Sequence, residues 1–357
     1  MEHGMDERAL TRRHRDGGVE LVERDGALTP LSFGDVDTEI AALLDGAGLC
    51  DVSAEATVVV TGRHRARFLH AMTTCQVKAL APGQGNYGLA VDRGGKLVGQ
   101  FWLDCEPEAI VLSAPGPMLE ALVAHFVAHR VADDVQFGPV RAAQVLALVG
   151  PLAAEVLART GAASPGDAAY AWVDAEVAGA PARVRRNGQR LLAPGFDVTV
   201  GAEDGAASWG ALVAAGAAPV GTLAFDVVRI GRGVPRDGLD MGAANIPLES
   251  QVLYDAMDWD KGCYIGQEVI AMMHYRGRPN RHLVGLRLAE GAALPAAGVE
   301  VLAEDGRAVG ELGSTAMHER LGGAVALAVL KRKYADVDSV LTLAGGGDAT
   351  VVALPLL

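Results

Sequence analysis

The chain has 357 residues, 50% hydrophobic and 21% charged, with a formal net charge of −13. That length exceeds one ordinary core and calls for two or three domains. The acidity argues against general coating of nucleic acid, because phosphate binding runs on Lys and Arg, although a local basic patch stays open.

The N-terminal stretch MEHGMDERALTRRHRDGG carries both charge signs and no apolar segment, so it does not read as a secretory signal. Residues 1–27 read as a flexible extension. Over 40–49 apolar residues fall at helical spacing, with Gly46 and Gly48 marking the end. ATVVVTG (56–62) reads as a strand, and HRARFLHAM (64–72) as a short helix with Phe68, Leu69 and Met72 on one face. YGLAVDRGGKLVGQFWLD (87–104) is two β-runs around Asp92-Arg93-Gly94-Gly95, a hairpin signal. A strand at 108–115 and an amphipathic helix over 118–131 follow, the latter burying Leu119, Leu122, Val123 and Phe126.

Further on, VLALVG (145–150) reads as a buried strand, and Pro151 opens a helix over 151–160. Strands are expected at 182–187, 188–193 and 196–201, turning at Asn187-Gly188, and a helix over 207–216 ends at Gly216. Residues 28–282 are thus α+β, in two modules that can interleave. From Leu283 the texture changes to short strands at 283–289, 299–304, 307–315, 323–330 and 339–344, with a turn at Asp305-Gly306. This predicts a small all-β barrel over 283–357. The apolar runs are short and interrupted, so no membrane span is expected. Cysteines 50, 75, 105 and 263 are widely spaced, with no CxxC pair. No metal or cluster site held by this chain alone is expected, and reduced thiols suit a cytoplasmic protein.

The stretch with the most chemistry is KGCYIGQE, residues 261–268. Ile265, Val269, Met272 and Met273 form one helical stripe that Gly277 and Pro279 end, so Gly266-Gln267-Glu268 lies at a helix start. Glu268 there suits the positive end of the helix dipole. Cys263 just before that start, with Lys261 nearby, has the setting that favours a thiolate. The opposing reading is a free Cys as a small buried hydrophobe, which is how Cys50, Cys75 and Cys105 read. HYRGRPNRH (274–282) packs three arginines and two histidines into nine residues. It suits carboxylate or phosphate recognition, or else a solvated loop pairing with Asp255, Asp258 and Asp260. Trp259 is either core or a face for a flat ring. RIGRGVPR has Arg236 where a dinucleotide fingerprint needs a third Gly, and no HExxH, GxSxG or carboxylate pair stands out.

KGCYIGQE resembles the signature of the YgfZ-type folate-binding proteins, relatives of the glycine-cleavage T-protein (aminomethyltransferase). GLCDVS (48–53), FLHAMTTCQVKAL (68–80), LALVGPLAAEVLA (146–158), PGFDVTV (194–200) and AFDVVRIGRGVP (224–235) resemble T-protein segments in the same order. PLES (247–250) and the basic run after the octapeptide resemble the YgfZ branch. The resemblance implies a multi-module α+β fold around a central folate-sized opening, with a small C-terminal barrel. It implies tetrahydrofolate as cofactor, and an accessory role in iron–sulfur cluster assembly or repair that reaches tRNA-modifying enzymes. Iron–sulfur enzymes or assembly factors are then the expected partners, with no membrane and no strong case for direct nucleic-acid binding.

The departures carry weight. The T-protein pattern has an Asp pair after the hairpin Gly-Gly, where this chain has Val98-Gly99-Gln100, and a Glu where this chain has Gly231. Without that acid, aminomethyl transfer from a lipoyl carrier is not expected. The resemblance leaves Cys263 as the functional thiol with Lys261 beside it. Tyr87, Gln100, Trp259, Lys261, Tyr264, Gln267, Glu268 and Arg276 are the expected folate contacts. One alternative is a folate-dependent one-carbon transferase or demethylase with a different acid; another is an RNA-binding module using residues 274–282.

Overall fold

The structure, a computed structural model, describes residues 8–289 and 293–357. The chain divides into two units: residues up to Phe68 with Val77–Tyr87 and Phe101–Phe225, and Leu69–Gln76 with Gly88–Gln100 and Asp226–Leu357.

In the first unit, the buried strands Gln144–Val149 and Gly195–Val200 pair antiparallel. The sheet continues through Ala180–Arg186 and Trp172–Val177 on one side. On the other side it passes through Gly48–Asp51 to a parallel edge strand, Ala218–Val220. A second set of strands pairs Glu55–Thr61 with Ile110–Pro115. The extension expected over 1–27 is structured where it is described. Ala9–Asp16 is a helix, and Leu21–Arg24 pairs with Ala27–Pro30. Leu10 joins the core around Leu49, Leu148 and Trp209, and the His14 ring meets Trp209 edge-on at 4.8 Å. Apolar burial therefore anchors a segment whose charge suggests a loose tail.

The strand expected at 188–193 is a loop. Arg190 turns inward there, donating to Asp197 at 2.6 Å and also to Glu55. Burial raises the Asp197 carboxyl, but Arg190 and Arg185 outweigh it and hold Asp197 down at about 2. Cation pairing rather than strand alternation thus decides this segment.

In the second unit, six strands close a barrel: Arg281–Leu288, Gly323–Lys331, Ala308–His318, Glu300–Leu302, Val340–Leu343 and Asp348–Val352, in that spatial order. The last of these is absent from the sequence reading. It closes the ring by pairing with Arg281–Leu288, from Gly285↔Val352 to Leu288↔Ala349, and so removes both sheet edges. Val284, Leu286 and Leu288 alternate into its apolar interior. Arg229, near the end of helix Thr222–Gly231, ties to the barrel. Its guanidinium donates to Asp240 at 2.9 Å and to Ser314 Oγ at 2.7 Å, while Ser314 N donates to Asp240 at 2.6 Å. Among the described residues no helix is long and apolar enough to cross a membrane.

Asp240 is buried and serves both Arg229 and Ser314. Asp240→Ala is therefore expected to destabilise the chain by about 3 kcal/mol, because it leaves the buried Arg229 guanidinium with Asp226 as its remaining carboxylate and the amides of Arg236 and Ser314 without their acceptor. Urea unfolding of wild type and variant measures this.

Candidate functional site

The site residues that belong to the second unit converge on the hairpin turn, the segment 69–76 and the octapeptide. The turn is closed by its own sequence. Asp92 Oδ1 accepts from Gly94 N and Lys96 N, both at 2.8 Å, and Gly95 takes φ +74°. The turn lies against the start of helix Gln267–Arg276. At the helix N-cap, Gly266 has φ +79°, and a Cβ there would stand 2.2 Å from Asp92 O. The second glycine of the octapeptide is thus set by backbone conformation and by close backbone approach.

The octapeptide is laced to residues 70–74. Lys261 Nζ donates to His70 O at 2.5 Å and to Thr73 O, and the Lys261 carbonyl lies 2.9 Å from His70 Nε2. Ile265 N donates to Ala71 O at 3.0 Å, and Asp258 N to Thr74 O at 3.0 Å. Lys261 is buried, and burial pushes its ammonium down to about 8. The expectation of a free cation, for the thiol or for a folate carboxylate, is corrected: this ammonium is taken up by two backbone carbonyls. Cys263 is exposed. Tyr264 is half-buried beneath the Lys261 ammonium, 5.2 Å from its ring centre, and burial raises its hydroxyl to about 12. Gln267 reaches back, Oε1 accepting from Tyr264 N at 3.2 Å, and Glu268 is exposed in the first helical turn.

Trp259 stacks on His274 with centroids 3.9 Å apart, and Tyr254 Oη lies 3.1 Å from His274 Nδ1. One face of the indole expected to receive a flat ring is therefore covered by an imidazole. Arg276 is exposed and has no partner among the described residues. Tyr87 falls in the first unit, buried against Trp102 and Tyr170 at centroid distances of 5.4 and 6.4 Å.

Gln100 lies on the hairpin strand Leu97–Cys105 and brings in a residue the sequence reading missed. Its backbone N donates to Asp237 Oδ2 at 3.1 Å, and its Nε2 to Asp237 Oδ1 at 2.6 Å. Asp237-Gly238 reads in sequence only as a turn, and its side chain meets the hairpin 137 residues away. Gly231 is explained by packing. A Cβ there would stand 2.7 to 2.8 Å from Leu321 and Leu357 side-chain atoms, so those two leucines occupy the space a larger residue would need.

The GCVT N-terminal domain model matches residues 10–261, and that of the glycine cleavage T-protein C-terminal barrel domain matches residues 281–357. The chain belongs to the glycine-cleavage T-protein family. A protein named Aminomethyltransferase from Frankia alni is 31% identical over 355 residues, covering 97% of this chain and 96% of that protein. Another of that name, from Herpetosiphon aurantiacus, is 30% identical and covers 98% of each. The crystal structure of glycine cleavage system aminomethyltransferase T from Bartonella henselae shares the fold, with a TM-score of 0.84, 21% identity and coverage of 98% and 97%. T-protein family members use tetrahydrofolate, the cofactor that the resemblance implied.

These findings correct the functional expectation. Relatives spanning nearly the whole chain are named aminomethyltransferases, which overturns the reading of a YgfZ-type iron–sulfur helper without transferase activity, its cluster-related partners and its link to tRNA modification. The premise behind that reading also changes. The hairpin has no Asp at Val98-Gly99-Gln100, where the T-protein pattern places it, but Asp237 brings a carboxylate to Gln100.

Two outcomes are expected. Gly266→Ala should destabilise the chain by more than about 1 kcal/mol, since both φ and space oppose a Cβ; thermal unfolding reads this. Lys261 titrates near 8 when folded and near about 10.4 when unfolded, so between those values the unfolded chain binds more protons. Relative to Lys261→Met, wild-type stability should therefore rise with pH from about 8 to about 10.4, measured by urea unfolding across that range.

Proposed function

We propose that this chain is a tetrahydrofolate-dependent aminomethyltransferase in which Asp237, held on Gln100, is the proton-handling carboxylate. The observation that carries the reading is the double bond from Gln100 to Asp237 on the hairpin strand. Both residues are only half-buried, so the pair is accessible. Two donated N–H bonds fix the orientation of the carboxylate. Such a group can take up and return a proton at a reacting amine, the work expected of the absent hairpin Asp. The donor set thus fits a folate amine, and tetrahydrofolate supplies the nitrogen that receives the one-carbon unit. The names of the full-length relatives support the same reaction class. Arg276, exposed and without a partner among the described residues, remains available for a folate carboxylate, whereas Lys261 does not.

The test is methylene-tetrahydrofolate formation from an aminomethyl-lipoyl donor. Asp237→Asn is expected to lower kcat by about 10²- to 10⁴-fold. Gln100→Ala keeps the backbone bond and should lose less. Absence of turnover by the wild type, or full turnover by Asp237→Asn, would overturn the proposal.

A further inference from the structure

The second unit assembles a basic surface that the transferase chemistry draws on only at Arg276. Strand Arg281–Leu288 pairs antiparallel with Gly323–Lys331, so that Arg281 faces Lys331 across the ladder. Arg332 N then donates to Asn280 O at 2.8 Å. Two basic tracts about fifty residues apart, RGRPNRH (276–282) and KRK (331–333), are thereby placed side by side. His282 records the crowding: its imidazole is pushed down first by burial and next by Arg332.

Most of this charge is not neutralised locally. Arg276, Arg278 and Arg332 are exposed, and their side chains have no partner among the described residues. Lys331 is exposed, and its ammonium donates to a neutral carbonyl, Ala308 O. Arg281 is the exception, paired with Glu249. Beside the arginines, Tyr275 is 72% exposed. A guanidinium cluster without local partners, beside a largely exposed tyrosine ring that meets His274 edge-on at 4.5 Å, on a chain of net charge −13, is a localised feature. Phosphates match the guanidinium forks, and a base matches the ring face.

We propose that this surface binds single-stranded nucleic acid through its phosphate backbone, with Tyr275 as a stacking face. An acidic protein segment would match the charge but would gain nothing special from the exposed ring, so the tyrosine separates the two.

The experiment is fluorescence anisotropy of the full chain with a labelled mixed-sequence 20-nucleotide RNA, in a salt series. With roughly four phosphates engaged, the slope of log affinity against log salt should be about −2.8. Arg278→Gln combined with Arg332→Gln, one substitution from each tract, should reduce that slope to about −1.4. Tyr275→Ala should weaken binding about 5-fold or more with the slope unchanged. Melting curves check that each variant is folded. No binding at low salt overturns the proposal. So does a poly-glutamate competitor that displaces the RNA at equal charge concentration while Tyr275→Ala binds like the wild type; that result would assign the surface to an acidic protein instead.

Discussion

A buried lysine sets the geometry of the candidate site. Lys261 donates to His70 O and Thr73 O, and those bonds lock the octapeptide onto residues 70–74. An ammonium in an apolar setting is costly unless its protons are bonded, and its depressed pKa registers that cost. With the lysine anchored, Gly266 can bring the helix start against Asp92 O in the hairpin turn. The segment 69–76, the hairpin end and the helix Gln267–Arg276 thus belong to one compact unit. The cation that looks catalytic in sequence is a structural fastener.

That arrangement changes the weight of the missing acid. The hairpin offers Gln100 where an acid is expected, and the turn around Asp237 delivers a carboxylate to that glutamine. Gly231, the other departure, is filled from outside by Leu321 and Leu357. Loss of a side chain at one position and its arrival from another are invisible to a residue-by-residue comparison. The full-length aminomethyltransferase relatives and the Asp237–Gln100 pair point the same way.

Much of the fold was legible. The hairpin around Asp92, the helix after Gly266 and the barrel strands follow from turn chemistry and periodicity, which are local. Local pattern misleads where distant contacts overrule it. Residues 9–16 have the charge of a loose tail, yet Leu10 enters the core. Residues 188–193 alternate like a strand, yet Arg190 turns inward to Asp197. At the site, the position of Cys263 before a helix start and of Glu268 in its first turn is legible in the glycine spacing and apolar stripe. The direction of Lys261, the stacking of His274 on Trp259 and the reach of Asp237 were not legible, because each depends on a partner far along the chain or on a side-chain orientation.

By itself, then, the sequence determined most element types, the C-terminal barrel and the family resemblance, since turn chemistry and hydrophobic period are encoded within a few residues. Only the tertiary structure decided which charges are used internally and which face water. Lys261 is turned inward and Arg276 and Arg278 are left outward, although all three lie within residues 261–278. It also decided that RGRPNRH and KRK form one surface and that Asp237 serves Gln100. Charge pairing depends on distances through space, and strand register and chain reversal set those distances.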